Sequence, residues 1–164
     1  MTAQRREMKA WRRGIALIAL LASMVVPAGG WAATTERLVV NRFTGLAING
    51  FDPVAYFTDA RPIQGLADYE LFGEGAIWRF CNEGNRASFA AHPDIYGPQF
   101  GGYDPVDVAR GVAYAGNPRI WLVSDRRLYL FGREESRDAF AASPAGFLKE
   151  ARKRWQALQD TLAQ

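Results

Sequence analysis

Alternating apolar and polar positions predict two pairs of short β-strands. The segments ADYELF (67–72) and AIWRFC (76–81) flank the turn GEG, and an alternation with a period of two residues is typical of a β-hairpin. The segments RIWLVSD (119–125) and RLYLFG (127–132) form the second pair, and both of its faces are apolar. We assign one face to Ile120, Leu122, Leu128 and Leu130, and the other to Trp121, Val123, Tyr129 and Phe131. We therefore expect this pair in the middle of a sheet.

Two further segments have the spacing of helices. Residues 83–92 form the first, with Phe89 on its inner face. From Pro144 onward, apolar residues recur every three or four positions, at Phe147, Ala151, Trp155, Leu158 and Leu162. This stripe predicts a long C-terminal amphipathic helix. Together the patterns predict an α+β fold, in which a small antiparallel sheet of short strands packs against three or four helices.

One short motif occurs twice, as NGFDPVAYF (49–57) and GGYDPVDVA (101–109). Aspartate is a favourable helix N-cap, and proline fits the first helical position because its missing N–H needs no partner there. We therefore predict that Asp52 and Asp104 cap helices, and that Ser143 does the same before Pro144. A direct functional role for either aspartate is the alternative. The residues around the two copies differ, and we do not interpret the motif as an internal duplication.

The N-terminal segment has the features of a secretory signal peptide. Basic residues precede an apolar run at 14–26, and small residues favour cleavage after Ala32. The pair Arg12-Arg13 permits twin-arginine export, although its flanking residues favour the ordinary route. We expect residues 33–164 to be a single domain that is periplasmic or secreted, with no membrane contact after cleavage.

Removal of the leader changes the charge of the chain. The whole sequence has 20 Lys and Arg and 17 Asp and Glu, of which residues 1–32 hold five and one, so residues 33–164 carry a formal net charge of −1. The basic pI therefore gives no reason to expect a nucleic-acid partner. The single cysteine, Cys81, excludes an internal disulfide.

Four stretches in fixed order resemble the secreted bacterial branch of the YHS-domain family, and they span nearly all of residues 33–164. They are NGFDPVAYF, WRFCNEGNRASFAAHPDIYGPQFGGYD, NPRIWLVSDRRLYLF and KRW. The resemblance implies a small α+β domain that is often treated as metal-binding, because YHS domains occur in copper-transporting ATPases and multicomponent monooxygenases. It implies little about a reaction. In typical relatives a cysteine follows GGY, whereas this chain has Asp104, and a carboxylate suits harder ions than a thiolate does.

Any metal site must therefore use an unusual set of ligands. Asp104, His92 and Cys81 are the candidates, and the ion would be a divalent or copper ion. One histidine and one cysteine are too few for a closed structural zinc site, so further carboxylates, main-chain carbonyls or a partner would have to complete it. The alternatives are that Cys81 is a packed structural residue and that His92 serves the C-terminus of its helix.

Three functions remain open at this stage. The first is an exported, non-enzymatic binding module whose pocket lies near the GPQFGGYDP loop and is supported by the aromatic residues Tyr56, Tyr96, Phe100 and Tyr103. The second is an accessory domain that binds a protein partner and has no site of its own. The third is a thiol-dependent enzyme that uses Cys81. No G-x-S-x-G motif, phosphate loop or dinucleotide fingerprint is present to favour another enzyme class.

Overall fold

Two β-hairpins organise the α+β fold of the computed structural model, which describes residues 37–162. Strands β1 (Leu66–Gly73) and β2 (Ala76–Phe80) pair antiparallel as sheet 1, and β3 (Asn117–Ser124) and β4 (Arg127–Phe131) pair antiparallel as sheet 2. Both predicted hairpins are confirmed. They form two separate two-stranded sheets instead of one, and the predicted signal peptide lies outside the described residues.

The helices surround these sheets. The two predicted helices are confirmed as α2 (Glu83–Ala91), which buries Phe89, and α6 (Pro144–Leu162). A further helix of nine residues, α5, covers Glu134–Ala142. The remaining helical elements are single turns, namely α1 (Ala55–Thr58), α3 (Pro93–Tyr96), α4 (Pro105–Val108) and the 3-10 turns Ile48–Gly50 and Gln99–Gly102. Within residues 37–162, no helix has the length and apolar character needed to cross a membrane.

The two hairpins belong to two copies of one structural unit, a first unit (residues 46–96) and a second unit (residues 98–147). In each unit a 3-10 turn with positive φ angles leads into a DPV motif, a single helical turn, a hairpin and a nine-residue helix. A proline then begins the next helix. The helices α2 and α5 start 51 positions apart, at Glu83 and Glu134.

The correspondence extends to irregular features. The strand pairing of sheet 1 is interrupted between Leu66 and Glu70, and that of sheet 2 is interrupted 51 positions later, between Asn117 and Trp121. Each unit also has a parallel bridge to its second strand, Leu46 to Ile77 and Pro98 to Leu128. Several side chains of α2 recur 51 positions later in α5. The identical pairs are Glu83 and Glu134, Arg86 and Arg137, Phe89 and Phe140, Ala90 and Ala141, and Ala91 and Ala142.

The two units therefore form an internal structural repeat, which the interpretation of the repeated motif did not predict. Asp52 and Asp104 are 52 positions apart, whereas the hairpins and the following helices are 51 positions apart. The loop between the DPV motif and the hairpin is one residue shorter in the second unit, so the matching residues do not share one spacing. The strands between the matched segments also carry different side chains, because the two sheets have different neighbours.

The front face of each sheet packs on the helix that follows its hairpin. In the first unit, the rings of Trp78 and Phe80 lie 4.7 and 5.3 Å from the ring of Phe89. In the second unit, Tyr129 and Phe131 lie 4.9 and 5.4 Å from Phe140. Each unit therefore has its own aromatic core, and aromatic pairs at these distances contribute beyond the area that they bury.

The back face of sheet 2 packs on the first unit. Leu128 and Leu130 are fully buried in the same apolar cluster as Ile48, and the Trp121 ring meets the edge of the Tyr56 ring at 5.2 Å. Sheet 2 is thus covered on both faces because it lies between two layers. The prediction that it lies in the middle of a sheet is wrong, although its two apolar faces are real.

The predicted division of those faces is also corrected by the strand register. Trp121 lies opposite Leu130, and Leu122 lies opposite Tyr129. Residues that face each other across an antiparallel pair point to the same side of the sheet. Trp121, Val123, Leu128 and Leu130 therefore share the back face, whereas Ile120 and Leu122 join Tyr129 and Phe131 on the front.

Candidate functional site

The Asp52 carboxylate lies at the centre of the first unit, where none of its surface is exposed. Its Oδ1 accepts hydrogen bonds from the main-chain N–H groups of Val54 and Ala55, at 2.8 and 3.3 Å. Its Oδ2 accepts from the Cys81 main-chain N–H at 2.8 Å and from the Asn85 side-chain amide at 2.7 Å. Asp52 thus binds the first main-chain amides at the start of α1, as a cap would, although the N-cap position of α1 is occupied by Val54. The same carboxylate also joins the start of α1 to the end of β2.

Asp104 makes the equivalent connection in the second unit and is equally buried. Its Oδ1 accepts from the Val106 N–H at 2.9 Å, which confirms the predicted cap of α4, and its Oδ2 accepts from the Gly132 N–H at 2.9 Å. Both carboxylate oxygens are thus bound to main-chain donors. The third predicted cap, Ser143, directly precedes α6, and its capping bond stays a prediction.

Cys81 lies between β2 and α2, half-buried beside Asp52. Its Sγ accepts hydrogen bonds from the side-chain amides of Asn82 and Asn85, at 3.2 and 3.3 Å. Burial raises the pKa of the Cys81 thiol to about 11, and its hydrogen bond to Asp52 and the charges of Asp52 and Asp59 act in the same direction. Because the thiolate is the nucleophile and the metal ligand, a thiol that keeps its proton at neutral pH is poorly suited to either task.

The three predicted metal ligands are not brought together. Cys81 precedes α2 and His92 follows it, and nine helical residues separate them by roughly 13 Å at the usual rise per residue. Asp104 belongs to the other unit, where amides bind both of its oxygens. Among residues 37–162, no group of three or more His, Cys, Asp and Glu side chains could hold a metal ion. The residues therefore do not fit the metal that the family resemblance implies.

The four predicted aromatic residues are divided between two packing clusters, one with Tyr56 and Tyr96 and the other with Phe100 and Tyr103. Tyr56 is buried, donates its hydroxyl hydrogen to the Pro118 carbonyl at 2.8 Å, and has a pKa raised chiefly by burial. Tyr96 packs on Phe57 at 5.3 Å. Phe100 and Tyr103 both pack on Trp155 of α6, at 5.8 and 5.9 Å. These rings support the fold around the GPQFGGYDP loop, and none of the four is among the residues that line the cleft beside it.

A cleft does lie beside that loop, with a volume of about 440 Å³. We call it the tryptophan cleft, because two indole side chains contribute to its wall. Its main lining residues are Arg37, Glu74, Trp78, Trp155 and Gln159, together with the loop at 97–101. The cleft therefore combines an apolar wall with one cation, one carboxylate and one amide.

Gly101 lines the tryptophan cleft and lies in close contact with the main chain of residues 37–39. It has a φ of +60°, and a Cβ at this position would lie 1.8 Å from the Arg37 carbonyl oxygen. Its own carbonyl accepts a hydrogen bond from the Val39 N–H at 2.8 Å. The equivalent residue of the first unit is Asn49, which has a similar φ of 54° but is exposed. Only the second unit needs glycine here, since only there does another main-chain segment approach so closely.

Sequence patterns did not identify the residues of the tryptophan cleft. Arg37 and Gln159 are 122 positions apart in the sequence, and no local motif connects them. Trp155 was predicted only as part of the apolar stripe of α6, and Trp78 only as a strand residue. The buried amide of Asn85 was also missed, although it follows the helix N-cap Asn82 by three residues.

Comparison with models of known protein families, with curated proteins and with solved structures finds no significant match. The resemblance to the YHS-domain family therefore rests on the sequence motifs alone.

Proposed function

We propose that this protein is an exported, non-enzymatic binding module of the YHS-domain type, and that it binds a small zwitterionic organic molecule in the tryptophan cleft. The observation that carries the proposal is the cleft itself. Its volume of about 440 Å³ is typical of small-molecule sites, which usually combine an apolar wall with a few polar groups that orient the ligand.

The lining residues suggest the chemistry of the ligand. The Arg37 guanidinium is suited to a carboxylate, which it can bind through two parallel hydrogen bonds. Glu74 is suited to an ammonium group, and the amide of Gln159 can donate or accept. The half-buried indole of Trp155 offers apolar surface to the body of the ligand, and the buried indole of Trp78 closes the wall behind it. A free amino acid or a short peptide has this combination of groups.

A small organic ligand agrees with the cleft better than a metal ion does. Glu74 is the one carboxylate among the residues that line it, and no thiol or imidazole accompanies it. A thiol-dependent reaction is also disfavoured, because the raised pKa of Cys81 keeps its sulfur protonated near neutral pH.

The proposal is tested by titrating residues 33–164 with free amino acids and dipeptides, followed by tryptophan fluorescence and calorimetry. We expect at least one compound to bind with a stoichiometry of one. Arg37→Gln and Glu74→Gln should each weaken its binding by about tenfold, which corresponds to roughly 1.4 kcal/mol. The matched controls are Arg61→Gln and Glu135→Gln, which change exposed charges outside the cleft lining.

Two results would contradict the proposal. If no compound changes the fluorescence or releases heat, the proposed ligand class is wrong. If a compound binds but the two cleft variants bind it as tightly as the controls do, the binding site lies elsewhere.

A further inference from the structure

The back face of sheet 1 is exposed, whereas the back face of sheet 2 is covered. Four side chains form this face, since Glu70 lies opposite Arg79 and Phe72 lies opposite Ile77 in the strand register. Phe72 is 75% exposed and Ile77 is half-buried. No element within residues 37–162 packs over them as the first unit packs over sheet 2.

The equivalent positions of sheet 2 show what this kind of face does when it is covered. The pair Phe72 and Ile77 corresponds to Val123 and Leu128, which lie in the core of the first unit. The first unit uses this face of the second unit as an apolar contact surface. In sheet 1 the same surface has kept one apolar pair and is open.

The second pair of the back face has changed from apolar to ionic. Where sheet 2 has Trp121 opposite Leu130, sheet 1 has Glu70 opposite Arg79, joined by an ion pair of 2.8 Å. Both side chains of this pair are half-buried, and each keeps about a third of its surface in contact with solvent. The back face of sheet 1 thus combines an apolar half with a half that carries one charge of each sign.

Apolar surface continues beyond the strands towards the 41–45 turn. The Ile77 Cδ1 atom lies 3.8 Å from the position that a Cβ on Gly45 would occupy, so this side chain leans towards the turn. Phe43, two residues before Gly45, is 98% exposed. Large apolar residues exposed side by side are typical of surfaces that bind another protein.

We propose that the back face of sheet 1 binds the back face of sheet 1 in a second copy of this chain, related by a two-fold axis. A two-fold axis makes the contact self-complementary, because each patch meets its own copy. The apolar pairs Phe72 and Ile77 then meet across the axis. Glu70 of one copy lies opposite Arg79 of the other, so each charge faces its opposite.

The arrangement of charges favours a second copy over an unlike partner. The face carries Glu70 on β1 and Arg79 on β2, side by side. In a two-fold copy, Arg79 lies opposite Glu70 and Glu70 lies opposite Arg79. A predominantly acidic partner would repel Glu70, and a predominantly basic one would repel Arg79. Opposed like charges disfavour an interface and suppress wrong partners.

The test measures the mass of residues 33–164 by analytical ultracentrifugation from micromolar to submillimolar concentration. We expect a concentration-dependent dimer in the wild type. Phe72→Asp should raise the dissociation constant at least about tenfold, because it places a charge in the apolar half of the contact. Val112→Asp is the matched control, since it adds the same charge at an exposed apolar residue outside the face.

Charge reversal tests the two-fold geometry directly. Glu70→Arg alone places arginine opposite arginine across the axis, and Arg79→Glu alone places glutamate opposite glutamate, so each variant should be monomeric. An equimolar mixture of the two variants restores an opposite charge at both contacts and should dimerise. Circular dichroism confirms that each variant is folded.

Three results would overturn the proposal. A wild type that is monomeric throughout the concentration range excludes self-association through this face. The same result is expected if a different protein covers the face, and it therefore overturns the proposal in that case too. A dimer that Phe72→Asp does not weaken uses a different surface. Charge-reversal variants that do not associate when mixed exclude the two-fold arrangement.

Discussion

In the first unit the central carboxylate, Asp52, is surrounded by the thiol of Cys81 and the amide of Asn85; in the second unit, Gly132 takes the place of the cysteine. Asp52 and Asp104 nevertheless share two main-chain contacts, one to the valine of the DPV motif and one to the residue after the second strand. The structural part of the motif is therefore its connection of main-chain segments. The thiol and the amide around it occur in the first unit alone, since the second unit has Gly132 and the buried Ser136 at the positions of Cys81 and Asn85.

The two units differ in how the chain enters the nine-residue helix that follows each hairpin, α2 in the first unit and α5 in the second. Asn82 caps α2 by accepting a hydrogen bond from the Asn85 N–H at 2.8 Å. Its counterpart Arg133 forms no side-chain cap on α5 and binds the buried Asp107 carboxylate through two hydrogen bonds of 2.8 and 2.9 Å. One unit secures this junction with a helix cap, and the other secures it with an ion pair to α4.

The largest effect that tests the likeness of the two units is expected from their core phenylalanines. Phe89→Ala and Phe140→Ala should each reduce the free energy of unfolding by about 3 to 5 kcal/mol, because each leaves a cavity between a sheet and its helix. Urea unfolding, followed by circular dichroism and by tryptophan fluorescence, measures both variants. We expect the two signals to change together, since Leu128 and Leu130 of the second unit complete the core of the first.

Val112→Ala is the control for these substitutions, because Val112 is 52% exposed and lies outside both cores and outside the back face of sheet 1, so it should change the free energy of unfolding by less than about 0.5 kcal/mol. Two separate transitions in either core variant would show that the units fold independently. That outcome would contradict the packing of one unit on the other.

A smaller effect should distinguish the two carboxylates. Asp52→Asn should cost about 3 kcal/mol and Asp104→Asn about 2 kcal/mol, because each variant turns an amide N–H towards main-chain donors, and Asp52 also loses a side-chain partner. Urea unfolding at neutral pH measures the difference. Asp68→Asn, at an exposed position, is the control. Equal losses in the two units would show that the Asn85 amide adds no stability.

Local patterns were sufficient to predict the hairpins, the helices α2 and α6 and the Asp104 cap, but they did not predict α5. Each of these depends on residues close in sequence, such as the alternation around GEG or the order of Asp and Pro in the DPV motif. The separation of the strands into two sheets depends instead on packing between distant segments. The apolar back face of sheet 2 has the same alternation whether its neighbour is another strand or a layer of helices.

The candidate site was less accessible to sequence analysis for the same reason. A cleft does lie beside the GPQFGGYDP loop, but the aromatic residues nearest in sequence pack into the core. The cleft is completed by Arg37, before the first unit, and by Gln159, near the end of α6. Their proximity follows from the close approach of Gly101 to the Arg37 carbonyl, a long-range contact that composition and periodicity do not encode.

The smallest effect concerns the thiol, which only the first unit has. Burial, followed by the hydrogen bond to Asp52 and its charge, raises the pKa of Cys81 to about 11. The rate of alkylation by iodoacetamide should therefore keep rising with pH up to about 11, well beyond the ordinary cysteine pKa of about 8.5. In Asp52→Asn the apparent pKa should fall partway, because burial remains while the charge is lost. An alkylation pKa near 8.5 in the wild type would contradict the protonated thiol.

The same shift predicts a loss of stability at high pH. Between about pH 8.5 and 11 the unfolded chain releases the thiol proton while the folded protein keeps it, so the folded state loses stability as pH rises through this window. Cys81→Ser removes this contribution, and the stability of the wild type relative to this variant should therefore decline over the window. Tyr56, whose pKa is also raised by burial, is present in both proteins and cancels in the comparison. A stability difference that does not change with pH would show that the thiol has the same pKa in the folded and unfolded states. That result would contradict the raised pKa of Cys81.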